Sequence, residues 1–190
     1  FFSHCNLNCV FCQNHTISEQ AFGKEITTEH LSDIFLSQQK KGVHNINLVS
    51  PTHFIPQIKQ ALLLAKQKGL SIPIVYNTNA YEKVESLKLL EGLIDIYLPD
   101  FKYISPEYSK RYSFAQNYAE YAKKAILEMK RQQPTTVFDT NGILQKGIII
   151  RHLVLPNCYK DSFEILKWIK QNIGEDTYIS LLNQYTPMHK

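Results

Sequence analysis

Three cysteines lie close together near the start of the chain, in the segment FFSHCNLNCVFCQN. They are Cys5, Cys9 and Cys12, with the spacing Cys-x3-Cys-x2-Cys, and polar residues surround them. Thiolates bind zinc and iron–sulfur clusters because soft sulfur suits these metals. A closed zinc site needs four ligands, and His4 or His15 could supply the fourth. The alternative is a four-iron cluster on three thiolates, which leaves one iron open to a small molecule.

The fourth cysteine, Cys158, stands alone far downstream. Four cysteines in 190 residues do not make the dense framework of a small disulfide-bonded protein, so we expect reduced thiols and a cytoplasmic location. No apolar run approaches the roughly 18 residues of a membrane span, so no membrane partner is expected. The net charge of +4 is not concentrated in a basic stripe, which argues against a nucleic-acid partner.

Short apolar strands alternate with amphipathic helices along the chain. One helix is predicted in TTEHLSDIFLSQQKKG, where Thr27 or Thr28 can cap the start and Gly42 can end the helix. Further helices are predicted after SPTHF, in KVESLKLLEG, over residues 117–132 and in FEILKWIKQNIG. Strands are predicted at Phe1 and in NINLV, IPIVY, IDIYL, GIIIRHLVLP and YISLLNQY.

About six strand–helix steps with short links predict a parallel sheet in an α/β fold. Six steps favour an incomplete barrel, although a doubly wound open sheet would have the same pattern. No domain boundary is visible, so residues 1–190 are predicted to form a single domain. Because the chain begins without methionine inside a predicted strand, we expect a truncated sequence.

Polar side chains cluster after the predicted strands. In both architectures ligands bind at the C-terminal ends of the strands. Arg151 and His152 lie inside an apolar strand, where a polar side chain needs a partner, and one of them could point to a helix instead of the interior. Asn79 alone could form an Asx turn. The clusters at the strand ends are Cys5–Cys12, Ser50–His53, Asn77–Asn79, Asp100–Lys102 and Asn157.

The cysteine motif and several longer segments resemble a known family. The cysteine spacing, with aromatic Phe11 directly before the third cysteine, resembles the signature of the radical S-adenosylmethionine (SAM) superfamily. The whole chain looks closer still to pyruvate formate-lyase activating enzymes and an uncharacterised group of their relatives. That family usually continues at both ends, which implies truncation at both ends. The similar segments are FFSHCNLNCVFCQN, NINLVSPTHF, PIVYNTNAYE, DIYLPDFKY, RHLVLPN and NQY.

The resemblance implies a partial (β/α)6 TIM-like barrel of the radical SAM type that binds a 4Fe–4S cluster and SAM. Cys5, Cys9 and Cys12 would be the metal ligands and catalytic residues, with the open iron chelating SAM. One electron from the reduced cluster would cleave SAM to methionine and a 5′-deoxyadenosyl radical, which abstracts hydrogen from a substrate.

The resemblance also implies SAM contacts at the strand ends. Ser50-Pro51-Thr52 stands where the family commonly has Gly-Gly-Glu, and it still offers hydroxyl and backbone groups. Asn77 and Thr78 stand where activating enzymes carry an acidic residue and a threonine. Asp100 and Lys102 look like the Asp-x-Lys of those enzymes, in which aspartate suits ribose hydroxyls or an ammonium and lysine suits a carboxylate. The full set of implied cofactor contacts is Phe11, Ser50, Thr52, Asn77, Thr78, Asp100, Lys102, Arg151 and Asn157.

The partners implied by the resemblance are a protein substrate with a radical-bearing glycine and an electron donor such as flavodoxin or ferredoxin. Two other functions remain open from the sequence. The same SAM chemistry could act on a small molecule or RNA, or the chain could be a non-catalytic zinc or iron–sulfur binding module. The repeated strand–helix pattern argues against the module, because such modules are usually small.

Overall fold

Within residues 1–186, which the computed structural model describes, six strands form one sheet. Residues 187–190 of the predicted single domain lie outside the described residues. The strands are β1 (Ile46–Val49), β2 (Ile74–Thr78), β3 (Ile96–Pro99), β4 (Val137–Phe138), β5 (Leu144–Leu153) and β6 (Tyr178–Leu182).

The sheet is mostly parallel. β1, β2, β3 and β5 are neighbours in that order with parallel pairing, and β6 extends the parallel set beside β5. β4 pairs antiparallel with the first part of β5. Because parallel strands bring their C-terminal ends to one edge, the loops that follow β1, β2, β3 and β5 meet there. This topology confirms the predicted α/β fold with a parallel sheet.

Helices connect most of the strands, and none among the described residues is long and apolar enough to cross a membrane. Of the two candidate caps of α2 (Thr28–Lys40), Thr27 is the one that forms, since Thr27 Oγ1 accepts a hydrogen bond from the His30 amide at 3.1 Å. A 3-10 turn, Thr52–Phe54, precedes α3 (Ile55–Gln67). The helices are α1 (His15–Ser18), α2 (Thr28–Lys40), α3 (Ile55–Gln67), α4 (Val84–Lys88), α5 (Pro106–Ser113), α6 (Tyr118–Gln132) and α7 (Tyr159–Asn172).

The predicted strand at Phe1 is wrong. The Phe2 amide donates one backbone hydrogen bond to the Val49 carbonyl at 2.9 Å, and a single bond does not make a ladder. The sixth strand is instead the short β4. Helix α5 was also not predicted from the sequence, although Ser105 and Pro106 at its start are common helix-starting residues.

The core lies between the sheet and the helices that cover it. Tyr76 of β2 and Tyr97 of β3 are fully buried, and their rings meet edge to face at a centroid distance of 5.9 Å. From α3, Ile58 and Leu62 are also fully buried. Each such side chain stabilises the fold by about 1.5–3 kcal/mol relative to an exposed one. The sheet edge that carries the polar loops is therefore supported by a packed layer.

Asp161 ties α7 to the loop that follows β3. Its buried carboxylate accepts hydrogen bonds from the amides of Ile104 at 3.0 Å and Ser105 at 2.7 Å. These bonds fix the end of the loop that contains Lys102. A helix on the outside of the sheet thus holds a loop that faces the cysteines.

We expect Asp161→Ala to lower the free energy of unfolding by about 2–4 kcal/mol, because two loop amides lose a charged acceptor. Glu164→Ala is the matched control, since Glu164 lies on the same helix and is exposed. Urea unfolding of both variants measures the difference. Equal stabilities would show that the Asp161 bonds contribute little.

Candidate functional site

The loop that carries the cysteines is bound to the C-terminal end of α5. The amide of Val10 donates to the Tyr112 carbonyl at 3.0 Å, and the amide of Asn8 donates to the Ser113 carbonyl at 3.4 Å. The last carbonyls of a helix lack partners within the helix, so the loop supplies them. Phe114 follows in the left-handed conformation, with φ of 58°, and turns the chain away. The position of the loop is therefore set by main-chain bonds to a distant helix.

The three cysteine sulfurs are each within hydrogen-bonding distance of one polar side chain. The partners come from three separate segments: the end of α1, the loop after β2 and the end of α5. The pairs are Cys5 Sγ with Asn79 Nδ2 at 3.3 Å, Cys9 Sγ with Ser113 Oγ at 2.9 Å, and Cys12 Sγ with Ser18 Oγ at 3.2 Å.

These sulfurs line a cavity of about 580 Å³ instead of converging on a point. Among the described residues, no group of three His, Cys, Asp or Glu side chains could hold a single metal ion, so a zinc site completed by His4 or His15 is not assembled. Burial raises the pKa of the Cys9 thiol, and nearby Lys102 acts in the opposite direction. A bound metal group would therefore be needed to keep Cys9 as a thiolate at neutral pH.

Most of the predicted site residues meet at this cavity. Thr52 lies outside its lining, with its Oγ1 atom 3.5 Å from Thr78 Oγ1, and Asn157 is exposed in the turn after β5. A larger cavity of about 800 Å³ beside α2 is lined by His4, a candidate zinc ligand, but by none of the predicted cluster or SAM residues. The predicted site residues among those that line the smaller cavity are Cys5, Cys9, Phe11, Cys12, Ser50, Asn77, Thr78, Asp100, Lys102 and Arg151.

An ion-pair network forms one wall of the cavity. Asp100 accepts a hydrogen bond from Lys102 Nζ at 2.7 Å through one carboxylate oxygen and pairs with Arg151 Nη2 at 2.7 Å through the other. Arg151 Nη2 also donates to Asn77 Oδ1 at 2.6 Å. The network thus joins the ends of β2, β3 and β5. Burial alone would lower the pKa of Lys102, but the adjacent Asp100 carboxylate outweighs burial and the pKa is raised.

The charges of this wall leave room for an anionic ligand. Lys102 and Arg151 carry two positive charges against the single carboxylate of Asp100. Arg151 Nε is buried and has no hydrogen-bond partner among the described residues. A buried donor without a partner costs stability, so a ligand acceptor at this wall would be favourable. The wall therefore fits a small carboxylate-bearing molecule.

The adjacent polar residues Arg151 and His152 of β5 point in opposite directions, as alternation along a strand requires. Arg151 faces the cavity. His152 is buried on the other side, with Nδ1 2.7 Å from the Phe101 carbonyl and Nε2 2.8 Å from Ser162 Oγ of α7. Burial is the main reason why the pKa of His152 is lowered. His152 thus has a structural position. Of the two alternatives that the sequence left open, the structure has the one in which a single residue of the pair points to a helix.

Glu82 is a buried carboxylate behind the cavity wall that was not predicted from the sequence. It accepts hydrogen bonds from Thr78 Oγ1 at 2.6 Å and from Tyr76 Oη at 2.7 Å. Burial raises the pKa of Glu82 to about 7, and the bonds from Thr78 and Tyr76 limit the rise. The hydroxyl hydrogen of Thr78 is therefore directed at Glu82 when Glu82 is ionised, and away from the cavity.

Asn79 has two roles where the sequence indicated one. Its Oδ1 accepts a hydrogen bond from the Tyr81 amide at 2.8 Å, so the Asx turn is formed. Its Nδ2 contacts Cys5 and also donates to Asn6 Oδ1 at 2.8 Å. No pattern in the sequence links Asn79 to the cysteine loop, because the contact spans 74 positions.

Comparisons with known proteins found a matching family model and curated relatives. Residues 1–145 match the family model described as the Radical SAM superfamily. The uncharacterized protein MJ0674 of Methanocaldococcus jannaschii is 33% identical over 201 residues, which cover 100% of this chain and 54% of that protein. The uncharacterized protein MJ0808 of the same organism is 24% identical, over 97% of this chain and 49% of that protein. The chain thus spans about half the length of these curated relatives.

Solved structures show the same fold at low sequence identity. Streptococcus suis SuiB bound to S-adenosylmethionine has a TM-score of 0.70 and 15% identity, over 100% of this chain and 41% of SuiB. SuiB bound to the precursor peptide SuiA has a TM-score of 0.69 and 13% identity, with the same coverage. The hydrogenase maturase HydG of Carboxydothermus hydrogenoformans has a TM-score of 0.66 and 15% identity, over 98% of this chain and 44% of HydG. These similarities confirm the predicted α/β fold with a partial barrel-like core.

We expect Glu82→Gln to remove a pH-dependent loss of stability. The pKa of Glu82 is about 7 in the fold against an ordinary value of 4.5, so protonation favours the folded state. The stabilisation by protonated Glu82 is fully present below the ordinary glutamate pKa of 4.5 and is lost as the pH rises through about 7. Between about pH 5 and 8, the wild type should therefore lose about 2–3 kcal/mol relative to Glu82→Gln.

Urea unfolding at both pH values measures this difference. Glu85→Gln is the control, because Glu85 is an exposed carboxylate nearby on α4. If Glu82→Gln and the wild type lose stability in parallel, Glu82 is ionised throughout this range and the explanation is wrong.

Proposed function

The chain belongs to the radical SAM superfamily, whose cofactors are a 4Fe–4S cluster and SAM, and we propose that it is an enzyme that cleaves SAM reductively at such a cluster. One observation carries this proposal. Three thiols and the Asp100–Lys102–Arg151 network line the same cavity of about 580 Å³, so a metal cluster and a small charged molecule could lie side by side.

We assign the cluster to Cys5, Cys9 and Cys12. Their sulfurs surround the cavity, and each has a polar partner that suits a negatively charged thiolate. All four cysteines are free thiols, which fits the reducing compartment expected from the sequence. When bound, the cluster and SAM would together supply the one-electron cleavage of SAM and the abstraction of hydrogen from a substrate.

We assign the SAM carboxylate to Lys102 and Arg151. Asp100 orients both cations, and Asn77 holds Arg151 through its amide oxygen, so Asn77 would contact SAM mainly through its NH2 group. Charge-assisted bonds from a guanidinium and an ammonium are well suited to a carboxylate. This pair of cations therefore would fix the amino-acid end of SAM beside the cysteines.

The rest of SAM would lie along the rim of the cavity. Ser50 offers a hydroxyl. The Thr78 hydroxyl donates to Glu82 and accepts from the Ala80 amide at 3.1 Å. Its remaining lone pair faces Thr52 Oγ1 at 3.5 Å, so a bond from SAM to Thr78 would replace that weak contact. Phe11 packs edge-on against Tyr185 at a centroid distance of 6.1 Å, and the two rings provide an aromatic wall for adenine. The exposed Asn157 could contact adenosine only if the turn after β5 moved toward the cavity.

For the substrate, we propose a glycine on a partner protein. The support is the resemblance to activating enzymes, together with the SuiB structure bound to precursor peptide SuiA, since that protein has this fold and takes a peptide. Loss of one hydrogen atom from the glycine α-carbon would give the glycyl radical and 5′-deoxyadenosine. A flavodoxin or ferredoxin would donate the electron, and the net charge of +4 would favour an acidic donor.

Anaerobic reconstitution with iron and sulfide, reduction with dithionite and addition of SAM test the proposal. Formation of 5′-deoxyadenosine supports the SAM chemistry, and none from iron-loaded protein would reject it. Electron paramagnetic resonance with candidate proteins then tests for a glycyl radical. Cleavage of SAM with hydrogen transfer to a metabolite or to RNA, and no radical on any protein, would replace the activating function with the alternative.

Each of Cys5→Ala, Cys9→Ala and Cys12→Ala should lose the cluster, whereas Cys158→Ala should retain it. Cys158 is the matched control, because it is buried like Cys9 but does not line the cavity. Iron and sulfide per chain after anaerobic reconstitution measure the outcome. Stoichiometric zinc without iron in anaerobically purified protein would contradict the assignment.

Asp100→Asn and Lys102→Ala should weaken SAM binding by roughly 10- to 150-fold while the cluster stays assembled. Lys102→Ala removes a charged contact worth about 1.5–3 kcal/mol, and Asp100→Asn removes the carboxylate that orients Lys102 and Arg151. Lys124→Ala is the control, since Lys124 forms an exposed ion pair with Glu120 at 2.8 Å. Calorimetry with SAM measures the affinities. Unchanged affinity in both cavity variants would remove these residues from the binding site.

A further inference from the structure

Each cluster thiolate has its own side-chain hydrogen-bond partner, and this pattern goes beyond what is needed to hold the loop. Main-chain bonds from Asn8 and Val10 to α5 already fix the loop in place. The side-chain partners of the sulfurs are Asn79, Ser113 and Ser18, which belong to three separate segments. Sulfur is a weak acceptor, so three such pairs around one cavity suggest a role that depends on the charge of the sulfur atoms.

The direction of these bonds follows from the chemistry of the partners. A thiolate that binds metal has no hydrogen, so a hydroxyl beside it can only donate. Ser113 Oγ is also 2.7 Å from Tyr103 Oη, and Tyr103 has no other acceptor for its hydroxyl among the described contacts. Tyr103 therefore donates to Ser113, and the hydrogen of Ser113 is left for Cys9.

The orientation of Asn79 is fixed in the same way. Its oxygen accepts from the Tyr81 amide at 2.8 Å, so its NH2 group must face Cys5 and Asn6. An amide NH2 can only donate. All three contacts are thus donors to sulfur.

We propose that Asn79, Ser113 and Ser18 are positioning residues that raise the reduction potential of the cluster by donating hydrogen bonds to its thiolates. This inference rests on the proposed function, which places a cluster on these cysteines. Reduction adds one electron and makes the sulfurs more negative, so donors stabilise the reduced state more than the oxidised state. The bond to Cys9 should have the largest effect, because both Cys9 and Ser113 are buried from water.

The sharpest test compares two serines of α5. Ser113 contacts Cys9, whereas Ser109, one turn earlier, donates to the Pro106 carbonyl at 3.2 Å. Their exposed fractions are 1% and 0%, so the two substitutions by alanine remove the same atoms from equally buried positions. In iron-loaded protein reduced with dithionite, a redox titration followed by electron paramagnetic resonance should show a more negative potential for Ser113→Ala and no shift for Ser109→Ala.

A second comparison uses Ser18, which is partly exposed at the end of the short helix α1 and can be replaced with little risk to the fold. Ser18→Ala should lower the potential by less than Ser113→Ala, and Ser18→Thr, which keeps the hydroxyl, should restore it. The double variant of Ser18 and Ser113 should show the sum of the two shifts, because the donors act on different sulfurs.

The outcomes separate this inference from the function on which it rests. Wild-type protein that takes up no iron would overturn the proposed function and the inference together. Iron-loaded Ser113→Ala and Ser18→Ala with wild-type potentials would overturn the inference alone, as would an equal shift in Ser109→Ala. If Ser113→Ala fails to bind iron, the Ser18 comparison decides.

Discussion

The carboxylate of Asp100 is shared between two cations, and the geometry of the cavity depends on this one group. Its two oxygens meet Lys102 and Arg151 at 2.7 Å each, and Arg151 in turn holds Asn77. Partly buried ion pairs add little net stability, because desolvation offsets the attraction. Such ion pairs do fix the orientation of the side chains, because without Asp100 the positive charges of Lys102 and Arg151 would repel each other. The sheet brings the ends of three strands close together, and Asp100 then fixes the orientation of the polar side chains at those ends.

Much of this arrangement could be predicted from the sequence because it follows local rules. The strands and most helices show their periodicity over a few residues. Parallel strands place their C-terminal ends at one edge, so Asn77 and Asp100 could be expected to meet. The cysteine loop was expected at the same edge, but the strand predicted before it does not form. Arg151 was recognisable as a polar residue in an apolar strand that needs a partner. The cysteine motif could be recognised from the spacing of Cys5, Cys9 and Cys12 in the sequence alone.

The parts that could not be predicted depend on contacts between distant positions. Ser113 is an ordinary serine in the sequence, and its contact with Cys9 spans 104 positions. The sequence around Glu82 indicates an exposed acid beside a turn. In the fold Glu82 is only 5% exposed, and Tyr76 and Thr78 donate hydrogen bonds to its carboxylate. Asn157 follows its strand as expected, but a left-handed turn with φ of 61° takes it away from the cavity. Such details are set by packing, which a short pattern does not report.

The docking of the cysteine loop on α5 also sets an order of assembly. During synthesis, the three cysteines are made about a hundred residues before the helix that holds them, since the contact between Cys9 and Ser113 spans 104 positions. Until α5 has formed, the loop lacks both its main-chain acceptors and the hydroxyl beside Cys9. Contacts of such long range form late, because the intervening chain must first be ordered. We therefore expect metal to be loaded after folding. Before α5 forms, the three thiols lack the contacts that position them in the folded protein.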